Sequence, residues 1–361
     1  MNILFCGCCL PRKFEKRIEM LSVAGNQYQN NLIANLKKIG DVKVLSFINI
    51  PIEIDIDEIK EECKRSNYQI VFSTSKSKSI IEYRKLLKEQ IKWSDYVFVY
   101  NSMYPWFGVG KLASKVNAKS VLVLADYTPS KEQKNLARKL YAALMNIDFK
   151  LYSKVVLLSE GSEKYISKNQ EKVVINGCID EKKFANVKET GCLPIKNIVY
   201  SGVLSYVTGV DLLIDAFSKI EDENYRLTIC GQGKELDEII REASQKDSRI
   251  IFKGFLSTEE YMNTIEQASV LVNPRNMNYS QNQNNFPSKI LEYLASGRPI
   301  VSTKFRGHEA YENNIIFVES NAESLLNGIE DALKLDSKKV YEENRSFVKT
   351  FTWEQQIKKF L

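Results

Sequence analysis

Histidine is almost absent from this sequence, because His308 is the only one among 361 residues. Triads with a histidine base, zinc sites with several histidines and histidine proton relays all need imidazoles in fixed places. The chemistry must therefore depend on carboxylates, amides, backbone N–H groups and cations. The sequence also lacks a paired aspartate motif that suggests a bound divalent cation, so we predict a metal-independent protein without a cofactor.

Long apolar runs are also missing. No stretch of about 18 apolar residues could cross a bilayer, and residues 1–11 lack a basic leader and a small-residue cleavage site. We therefore expect a cytoplasmic protein. The seven cysteines are an odd number, and Cys6, Cys8 and Cys9 lie in an apolar run without CxxC spacing. We interpret them as reduced thiols of the core rather than as a metal or redox site.

Charge is unevenly distributed along the chain. Residues 1–180 carry 28 Lys and Arg against 19 Asp and Glu, a balance of +9, which leaves 23 against 26, or −3, for residues 181–361. A basic front half suits an anionic surface such as a membrane leaflet or a phosphate-bearing acceptor. Solvated lysines on helices are the other interpretation.

Short β-branched runs alternate with amphipathic stretches along the whole chain, which predicts strand–helix–strand units around parallel sheets. Predicted strands cover residues 3–8, 42–47, 69–72, 96–100, 120–124, 154–158, 197–201, 226–230, 250–253, 269–272, 299–302 and 315–317. Predicted helices of the front half cover residues 27–39, 80–92, 108–116 and 131–151. Residues 181–196 have little apolar content and are the best linker candidate. The pattern predicts an α/β protein of two doubly wound domains, residues 1–180 and 197–345, which enclose a cleft.

The most informative segment joins Asn-Pro-Arg at residues 273–275 to Phe-Pro-Ser-Lys at residues 286–289. Pro287 fits the first turn of a helix and Gly297 fits its end, which places Glu292 on the second turn. The free N–H groups, hydroxyl and ammonium at this helix start suit a diphosphate. Glu292 could accept hydrogen bonds from two ribose hydroxyls. A capped surface helix with solvated side chains is the alternative.

Glycines follow three predicted strands of the back half. Gly202, Gly231 and Gly254 come directly after the predicted strands, and Gly254 is followed by Phe255. Glycine lets the backbone approach a ligand closely, and the carboxyl ends of parallel strands meet at one edge of the sheet. We therefore expect a nucleotide to lie across several strand ends.

In the order of these segments the chain resembles the retaining glycosyltransferases of the GT-B fold in the large fourth sequence family (group 1), which includes many makers of capsule and exopolysaccharide. The resemblance is strong across residues 197–320 and looser over the front half. It implies two facing Rossmann-like domains and a back domain that holds a nucleotide sugar, with uridine as the first expectation for the base. The family signature is a Glu, seven residues and a second Glu. By resemblance Glu292 holds the ribose, while Asn284 takes the place of the first Glu.

A second departure from the family pattern concerns the residues that bind the diphosphate. The family commonly places an arginine after the glycine of its first back-domain strand and a lysine before the next glycine, but Val203 and Thr208 stand there in this sequence. The motif Asn-Pro-Arg followed by Phe-Pro-Ser-Lys resembles that of one subgroup of the family. By this resemblance, Arg275 and Lys289 could supply the positive charge that Val203 and Thr208 lack. We therefore choose Arg275 and Lys289 as candidate catalytic residues, with Asp126 of the front half as the third. The candidate donor-binding residues are Gly202, Gly231, Gly254, Phe255, Asn284, Phe286, Ser288, Lys289, Glu292, His308 and Glu309.

The candidate site residues of the front half are chosen by their positions relative to the predicted strands and helices. Gly25 and Asn26 precede a predicted helix where the family's glycine-bearing loop meets the donor phosphates or the acceptor, although an asparagine-capped helix is the alternative. Asp126 ends a predicted strand where many relatives place a catalytic-site histidine. It could orient the acceptor hydroxyl or take its proton, or simply cap a helix. By resemblance, residues 346–361, with Trp353, form a terminal segment that returns to the front domain.

The predicted partners are a nucleotide sugar and a glycan acceptor, which could be lipid-linked, and no nucleic acid. Residues 131–154 interleave basic and apolar side chains, so they could make a peripheral contact with the inner face of an anionic membrane or pack on their own domain. His308 and Glu309 could touch the sugar, or form a loop without catalytic duty. The rival functions are a catalytically silent GT-B partner subunit and another GT-B enzyme such as a sugar-nucleotide epimerase.

Overall fold

The computed structural model describes residues 1–17, 22–49, 56–65, 67–73, 76–125, 133, 135–189, 191, 193–280, 282 and 285–361. The chain folds as two compact units. Unit 1 is Met1–Ile175 together with Gln356–Leu361, and unit 2 is Asn176–Gln355. Residues 181–196, the predicted linker, belong to unit 2, where the 3-10 helix Glu181–Phe184 buries the side chain of Phe184.

Unit 1 contains a seven-stranded sheet in which all neighbouring strands are parallel. The strand order is β3-β2-β1-β4-β5-β6-β7. The strands are β1 (Asn2–Gly7), β2 (Asp41–Ile48), β3 (Tyr68–Phe72), β4 (Tyr96–Tyr100), β5 (Lys119–Leu124), β6 (Lys154–Leu157) and β7 (Glu171–Val174). The α-helices are α1 (Val23–Leu36), α2 (Ile56–Arg65), α3 (Lys76–Gln90), α4 (Val109–Lys115) and α5 (Leu136–Phe149).

All six strands predicted for the front half are present, with ends that differ by at most one residue. Among the strands and α-helices in the described residues of unit 1, β7 and α2 were not predicted. The edge strand β7 has only four residues and is half-buried, so its hydrophobic signal is weak. Helix α2 is dominated by charged residues and stands between two strands without an apolar run of its own.

Unit 2 contains a six-stranded parallel sheet with the order β10-β9-β8-β11-β12-β13. The strands are β8 (Lys196–Val203), β9 (Tyr225–Gln232), β10 (Ile250–Gly254), β11 (Val270–Asn273), β12 (Ile300–Thr303) and β13 (Ile316–Val318). The α-helices are α6 (Val210–Phe217), α7 (Asp237–Lys246), α8 (Thr258–Glu266), α9 (Lys289–Ser296), α10 (Ala322–Ala332), α11 (Ser337–Val348) and α12 (Trp353–Gln356). The six strands predicted for the back half are confirmed.

The sheet of unit 2 is covered on both faces. Val199 and Leu271 pack with α9 on one face, while Ile198 and Val270 pack with α6 on the other. Strands buried on both sides need apolar residues at successive positions, which is why they were visible as continuous runs in the sequence. The result is a doubly wound α/β unit.

Each sheet has one point where successive strands diverge to opposite sides. In unit 2 this point lies between β8 and β11, and in unit 1 between β1 and β4. The loops that leave the carboxyl ends of two such strands form the usual ligand crevice of a doubly wound sheet. In unit 2 these loops begin at Leu204 and Pro274.

Among the described residues, none of the helices combines the length and the hydropathy needed to span a bilayer.

Candidate functional site

Helix α9 begins close to where the sequence predicted, but two residues later. Its first residue is Lys289 and its N-cap is Ser288, so Pro287 precedes the helix instead of occupying its first turn. The carbonyl of Pro287 still accepts a hydrogen bond from the backbone N–H of Ile290 at 3.0 Å, which draws the entering chain into a turn. Gly297 ends the helix with a φ of +71°, as predicted.

Glu292 is the centre of an ion-pair cluster in unit 2. Its Oε2 accepts hydrogen bonds from the Tyr261 hydroxyl at 2.7 Å and from Lys289 Nζ at 3.0 Å. Its Oε1 accepts one from Lys183 Nζ at 3.2 Å. Three elements therefore meet at this carboxylate: α9, α8 and the 3-10 helix Glu181–Phe184. The Glu292 side chain is 29% exposed, so part of it faces solvent.

The charge of Glu292 is strongly stabilised. Burial alone would raise the pKa of this carboxyl, but the ammonium groups of Lys289 and Lys183 and the hydrogen bond from Tyr261 outweigh it and lower the pKa to about 2. Glu292 is therefore ionised at neutral pH. A carboxylate offers about four acceptor positions, of which these three donors use most and leave room for a ligand hydroxyl.

Tyr261 organises the two lysines around Glu292. Lys289 Nζ lies 4.4 Å and Lys183 Nζ 5.2 Å from the centroid of the Tyr261 ring, within cation–π range. Burial raises the pKa of the Tyr261 hydroxyl well above its ordinary value, so this group is a neutral hydrogen-bond donor. Sequence reasoning missed both Tyr261 and Lys183, because neither belongs to a motif and only tertiary packing brings them to Glu292.

Helix α9 is fixed against the carboxyl end of β8. The Tyr293 hydroxyl accepts a hydrogen bond from the backbone N–H of Ser201 at 3.1 Å. On the neighbouring strand β9, burial raises the pKa of Cys230 to about 11, opposed by the charges of Lys253 and Lys289. The hydrogen bond from Ser201 therefore holds the helix that carries Lys289 and Glu292 at the carboxyl end of the sheet.

Arg275 is the second residue after β11. Its guanidinium donates to Asn282 Oδ1 at 3.3 Å, and Asn282 Nδ2 donates to the backbone carbonyls of Val207 at 2.7 Å and Asn276 at 2.8 Å. The carbonyl of Arg275 accepts a hydrogen bond from the Thr303 hydroxyl at 2.9 Å. Arg275 is thus held between the loops that leave β8 and β11, at the divergence point of the sheet.

Arg275 is also coupled electrostatically to β8. Burial raises the pKa of Tyr200 to about 12, and a hydrogen bond with Thr208 and the charge of Arg275 oppose that rise. Burial lowers the pKa of Arg275, although a guanidinium stays charged at neutral pH. Because burial removes part of the water around the Arg275 guanidinium, its charge is available to an anionic ligand.

The two positions where the resemblance leads one to expect cations have other surroundings. The Val203 side chain is 60% exposed. The Thr208 hydroxyl hydrogen-bonds to the carbonyls of Val203 at 2.7 Å and Ser205 at 2.8 Å, which closes the turn between β8 and α6. Neither residue contributes positive charge to the strand ends.

The glycines after the strands differ in what they do. Gly202 and Gly231 are register partners on β8 and β9, and a Cβ on Gly231 would lie 1.7 Å from the Gly202 carbonyl oxygen. Gly231 is therefore required by the close approach of two strand ends. Gly254, with a φ of +64°, has open space around its Cβ position and is followed by Phe255, whose side chain is 61% exposed. Gly254 and Phe255 present an accessible backbone and ring.

The remaining back-domain candidates divide between core and surface. The ring of Phe286 is buried, with its centroid 5.3 Å from that of Phe305 and 5.7 Å from that of Tyr311. His308 Nδ1 lies 2.9 Å from the carbonyl oxygen of Phe305, a contact that supports the loop after β12. The Glu309 side chain is 71% exposed.

In unit 1 the start of α1 differs from the prediction. The N-cap is Ser22, whose Oγ accepts a hydrogen bond from the backbone N–H of Gly25 at 3.1 Å. Asn26 therefore lies inside the first turn and does not cap the helix. Its side chain is buried, and its Oδ1 accepts a hydrogen bond from the backbone N–H of Leu10 at 2.8 Å. Asn26 ties the loop after β1 to α1.

Two candidates, Asp126 and Asn284, lie outside the described residues, so their roles stay predictions. Within the described ranges, no three His, Cys, Asp or Glu side chains are grouped so that they could hold a metal ion.

The sequence of residues 193–349 matches the family model of the glycosyl transferases group 1. This segment contains the whole sheet of unit 2 and includes Arg275, Lys289 and Glu292, whereas Lys183 precedes it. No curated protein sequence matches the chain significantly.

Solved structures share the fold of the whole chain. The N-terminal domain of trehalose-6-phosphate phosphatase from Candida albicans superimposes with a TM-score of 0.73 at 13% identity, over 99% of this chain and 95% of that chain. The Anabaena protein HepE in complex with UDP gives a TM-score of 0.72 at 14% identity, over 99% and 98%. A glycosyltransferase from Rickettsia africae gives 0.70 at 18%, over 99% and 96%. At these identities the likeness concerns the fold, and the two Rossmann-like units confirm the predicted α/β GT-B fold.

Proposed function

We propose that this protein is a metal-independent, retaining glycosyltransferase that moves a sugar from a nucleoside diphosphate sugar to a glycan acceptor. The observation that carries the proposal is the arrangement of Lys289 and Glu292 on α9, fixed at the carboxyl end of a parallel sheet, with Arg275 at the divergence point of the same sheet. The match of residues 193–349 to the group 1 family supports it.

The diphosphate is assigned to the start of α9. The backbone N–H groups of its first turn, among which that of Ile290 is bonded to the Pro287 carbonyl, lie at the positive end of the helix dipole. Arg275 offers a planar fork for two phosphate oxygens, and Lys289 offers a mobile point charge. As the bond between the sugar and the diphosphate breaks, negative charge grows on the leaving group. These preorganised donors stabilise that charge.

Glu292 is assigned to the ribose. The pKa of about 2 keeps its carboxylate ionised throughout the physiological range, and an ionised carboxylate is an acceptor for sugar hydroxyls. When Lys289 moves from Glu292 to a phosphate, a lone pair of Oε2 becomes available to the ribose. The hydrogen bonds from Tyr261 and Lys183 keep the carboxylate in place during this exchange.

Uridine diphosphate is the first choice for the nucleotide. The structure of HepE, which shares the fold, is a complex with UDP. In this protein the exposed ring of Phe255 and the open backbone at Gly254 are the surfaces assigned to a base, since aromatic faces stack on bases without strong sequence preference.

The acceptor is assigned to the front half of the chain, with Gly25 and Asp126 as its candidate contacts. We infer a surface polysaccharide or a lipid-linked glycan, handled in the cytoplasm or at the inner membrane face. The basic balance of the first 180 residues, 28 Lys and Arg against 19 Asp and Glu, suits a phosphate-bearing acceptor.

Calorimetric titration with UDP, GDP, ADP and dTDP tests the donor site. We expect one nucleotide to bind clearly best, and Arg275→Ala and Lys289→Ala each to weaken that binding at least about tenfold. Unchanged affinity in both variants would refute the assignment.

Nuclear magnetic resonance of the reaction separates the enzyme from its rivals. Transfer with retention at the anomeric carbon is the expected product. A protein that binds the nucleotide but turns over no nucleotide sugar would be the catalytically silent partner subunit. Isomerisation of the donor without transfer would indicate an epimerase.

A further inference from the structure

Helix α5 (Leu136–Phe149) of unit 1 has an apolar side that the protein core does not cover. Its inner side consists of residues such as Ala142, Met145 and Phe149, which are buried in the core of unit 1. On the outer side, four large apolar residues recur at intervals of four, four and three, which places them along one line of an α-helix. These residues and their exposed fractions are Leu136 (73%), Leu140 (59%), Leu144 (50%) and Ile147 (55%).

The four residues form a continuous stripe, in contrast to isolated exposed residues. From Leu136 to Ile147 the stripe is about 17 Å long at the rise of an α-helix. Ile81 on α3 is 70% exposed, but its neighbours one turn away are Ser77, Lys78, Arg84 and Lys85. A single exposed residue of this kind needs no explanation, whereas a contiguous apolar surface marks an interaction site.

The exposed charged residues on α5 and directly after it have one sign. Lys139 and Lys150 border the stripe, whereas Arg138, also exposed, lies on the helical line of the buried residues. The carboxylate of α5, Asp148, is buried and accepts hydrogen bonds from the Ser102 hydroxyl at 2.6 Å and the Gly108 N–H at 2.7 Å. The outer side of α5 thus presents apolar groups bordered by cations, which is complementary to an anionic partner. A dimer of this chain formed through the outer side of α5 would place the cations of the two copies close to each other, which is unfavourable.

Two tyrosines continue this surface. Tyr141 on α5 is 41% exposed and Tyr104 is 62% exposed, and the backbone of Tyr104 hydrogen-bonds to the Tyr141 hydroxyl. A tyrosine ring with a polar end is suited to the boundary between headgroups and acyl chains.

We propose that the outer side of α5 docks on an anionic phospholipid membrane, with the helix in the plane of the surface. Leu136, Leu140, Leu144 and Ile147 enter the boundary between headgroups and acyl chains, and the neighbouring cations contact lipid phosphates. The partner is the lipid surface of the bilayer, and its recognition involves none of the residues assigned to the donor. The proposal therefore stands or falls separately from the proposed transfer reaction.

Flotation of the purified protein with lipid vesicles tests the docking. We expect the wild type to float with phosphatidylcholine vesicles that contain phosphatidylglycerol, to be released by salt, and to bind pure phosphatidylcholine at least about tenfold less. The double variant Leu140→Ser/Leu144→Ser should lose at least about tenfold of the binding to anionic vesicles. Ile81→Ser, which removes an equally exposed apolar side chain elsewhere, should bind as the wild type does.

Two further measurements make the result decisive. The midpoint of unfolding should be the same in the double variant and in Ile81→Ser, because both change exposed positions. The molar mass from light scattering should be that of a monomer in all three proteins. Absence of wild-type binding to anionic vesicles, equal binding by the double variant, or a wild-type dimer that Leu140→Ser/Leu144→Ser dissociates would overturn the proposal.

Discussion

Lys183 and Glu292 form an ion pair across 109 residues of sequence, with Lys183 Nζ 3.2 Å from Glu292 Oε1. Lys183 lies in the 3-10 helix Glu181–Phe184, within the segment that was predicted to be a linker because of its low apolar content. Phe184 beside it is buried, which fixes the turn and therefore the direction of the lysine. The segment that enters unit 2 thus supplies part of the candidate donor site.

Removal of Lys183 should weaken donor binding. In Lys183→Ala the Glu292 carboxylate loses one of its two cations and one of the contacts that orient it. We expect UDP affinity, measured by calorimetry, to fall roughly three- to tenfold, the range of a partly exposed ion pair. Lys182→Ala is the matched control, because Lys182 is exposed in the same turn. Equal affinities in the two variants would show that Lys183 does not position Glu292.

The charge of Glu292 should make a pH-dependent contribution to stability. The folded-state pKa of about 2 lies below the ordinary value of 4.5. The ionised form therefore stabilises the folded protein above about pH 4.5, by roughly 3 kcal/mol, and this contribution disappears as the pH falls through about 2. We expect the free energy of unfolding of wild type minus that of Glu292→Gln, from urea denaturation, to shrink over this interval.

Glu259→Gln, on the exposed side of α8, is the control for the pH series. Its difference from wild type should stay small from pH 7 to acid, since Glu259 does not belong to the Glu292 cluster. A difference for Glu292→Gln that is constant with pH would mean that the two lysines do not lower the pKa of this carboxyl.

Most of the fold was visible in the sequence because parallel strands buried on both faces are continuous apolar runs. The strands β1, β4, β8 and β11, which flank the two divergence points, are of this kind. The edge strand β7 lacked this signal, since it needs apolar groups only in part. The strands were therefore predicted best where both faces of the sheet are covered.

Within the candidate site, only contacts between residues that are neighbours in sequence could be predicted. Lys289 and Glu292 are three positions apart on one helix, so helical periodicity predicted their proximity. Tyr261 and Lys183 join them through the packing of α8 and of the entering chain against α9, which no local pattern encodes. Asn26 shows the converse, because a residue chosen as a phosphate-loop candidate is buried and holds the backbone of Leu10.

Gly231 should be intolerant of a side chain for reasons of packing. A Cβ there would lie 1.7 Å from the Gly202 carbonyl oxygen, and the φ of +137° is unfavourable for any other residue. We expect Gly231→Ala to lower the free energy of unfolding by more than about 3 kcal/mol. Gly191→Ala is the control, because Gly191 also has positive φ, +62°, but open space around it. Similar losses in both variants would mean that backbone conformation, and not the contact with Gly202, limits Gly231.

Transfer activity should survive chelation. We expect dialysis against EDTA to leave the initial rate unchanged, because Arg275 and Lys289 are assigned the charge that a metal ion would otherwise neutralise. Addition of Mg²⁺ or Mn²⁺ after dialysis should not raise the rate. A rate that falls in EDTA and recovers with either ion would overturn the metal-independent mechanism.

The form of the positive charge at position 275 should matter as well as its sign. Arg275→Lys retains the charge but loses the planar fork, and Arg275→Ala loses both. We expect kcat/KM to fall at least about a hundredfold in Arg275→Ala and to be recovered only in part by Arg275→Lys. If Arg275 stabilises charge that develops as the diphosphate leaves, kcat must fall more than the donor KM rises.

Arg241→Ala is the control, because Arg241 is exposed and pairs with Asp237 at 2.8 Å on α7. Full recovery by lysine would reduce the role of Arg275 to a point charge. If kcat/KM falls no further in Arg275→Ala than in Arg241→Ala, then Arg275 does not replace the cations that the family commonly has at the positions of Val203 and Thr208.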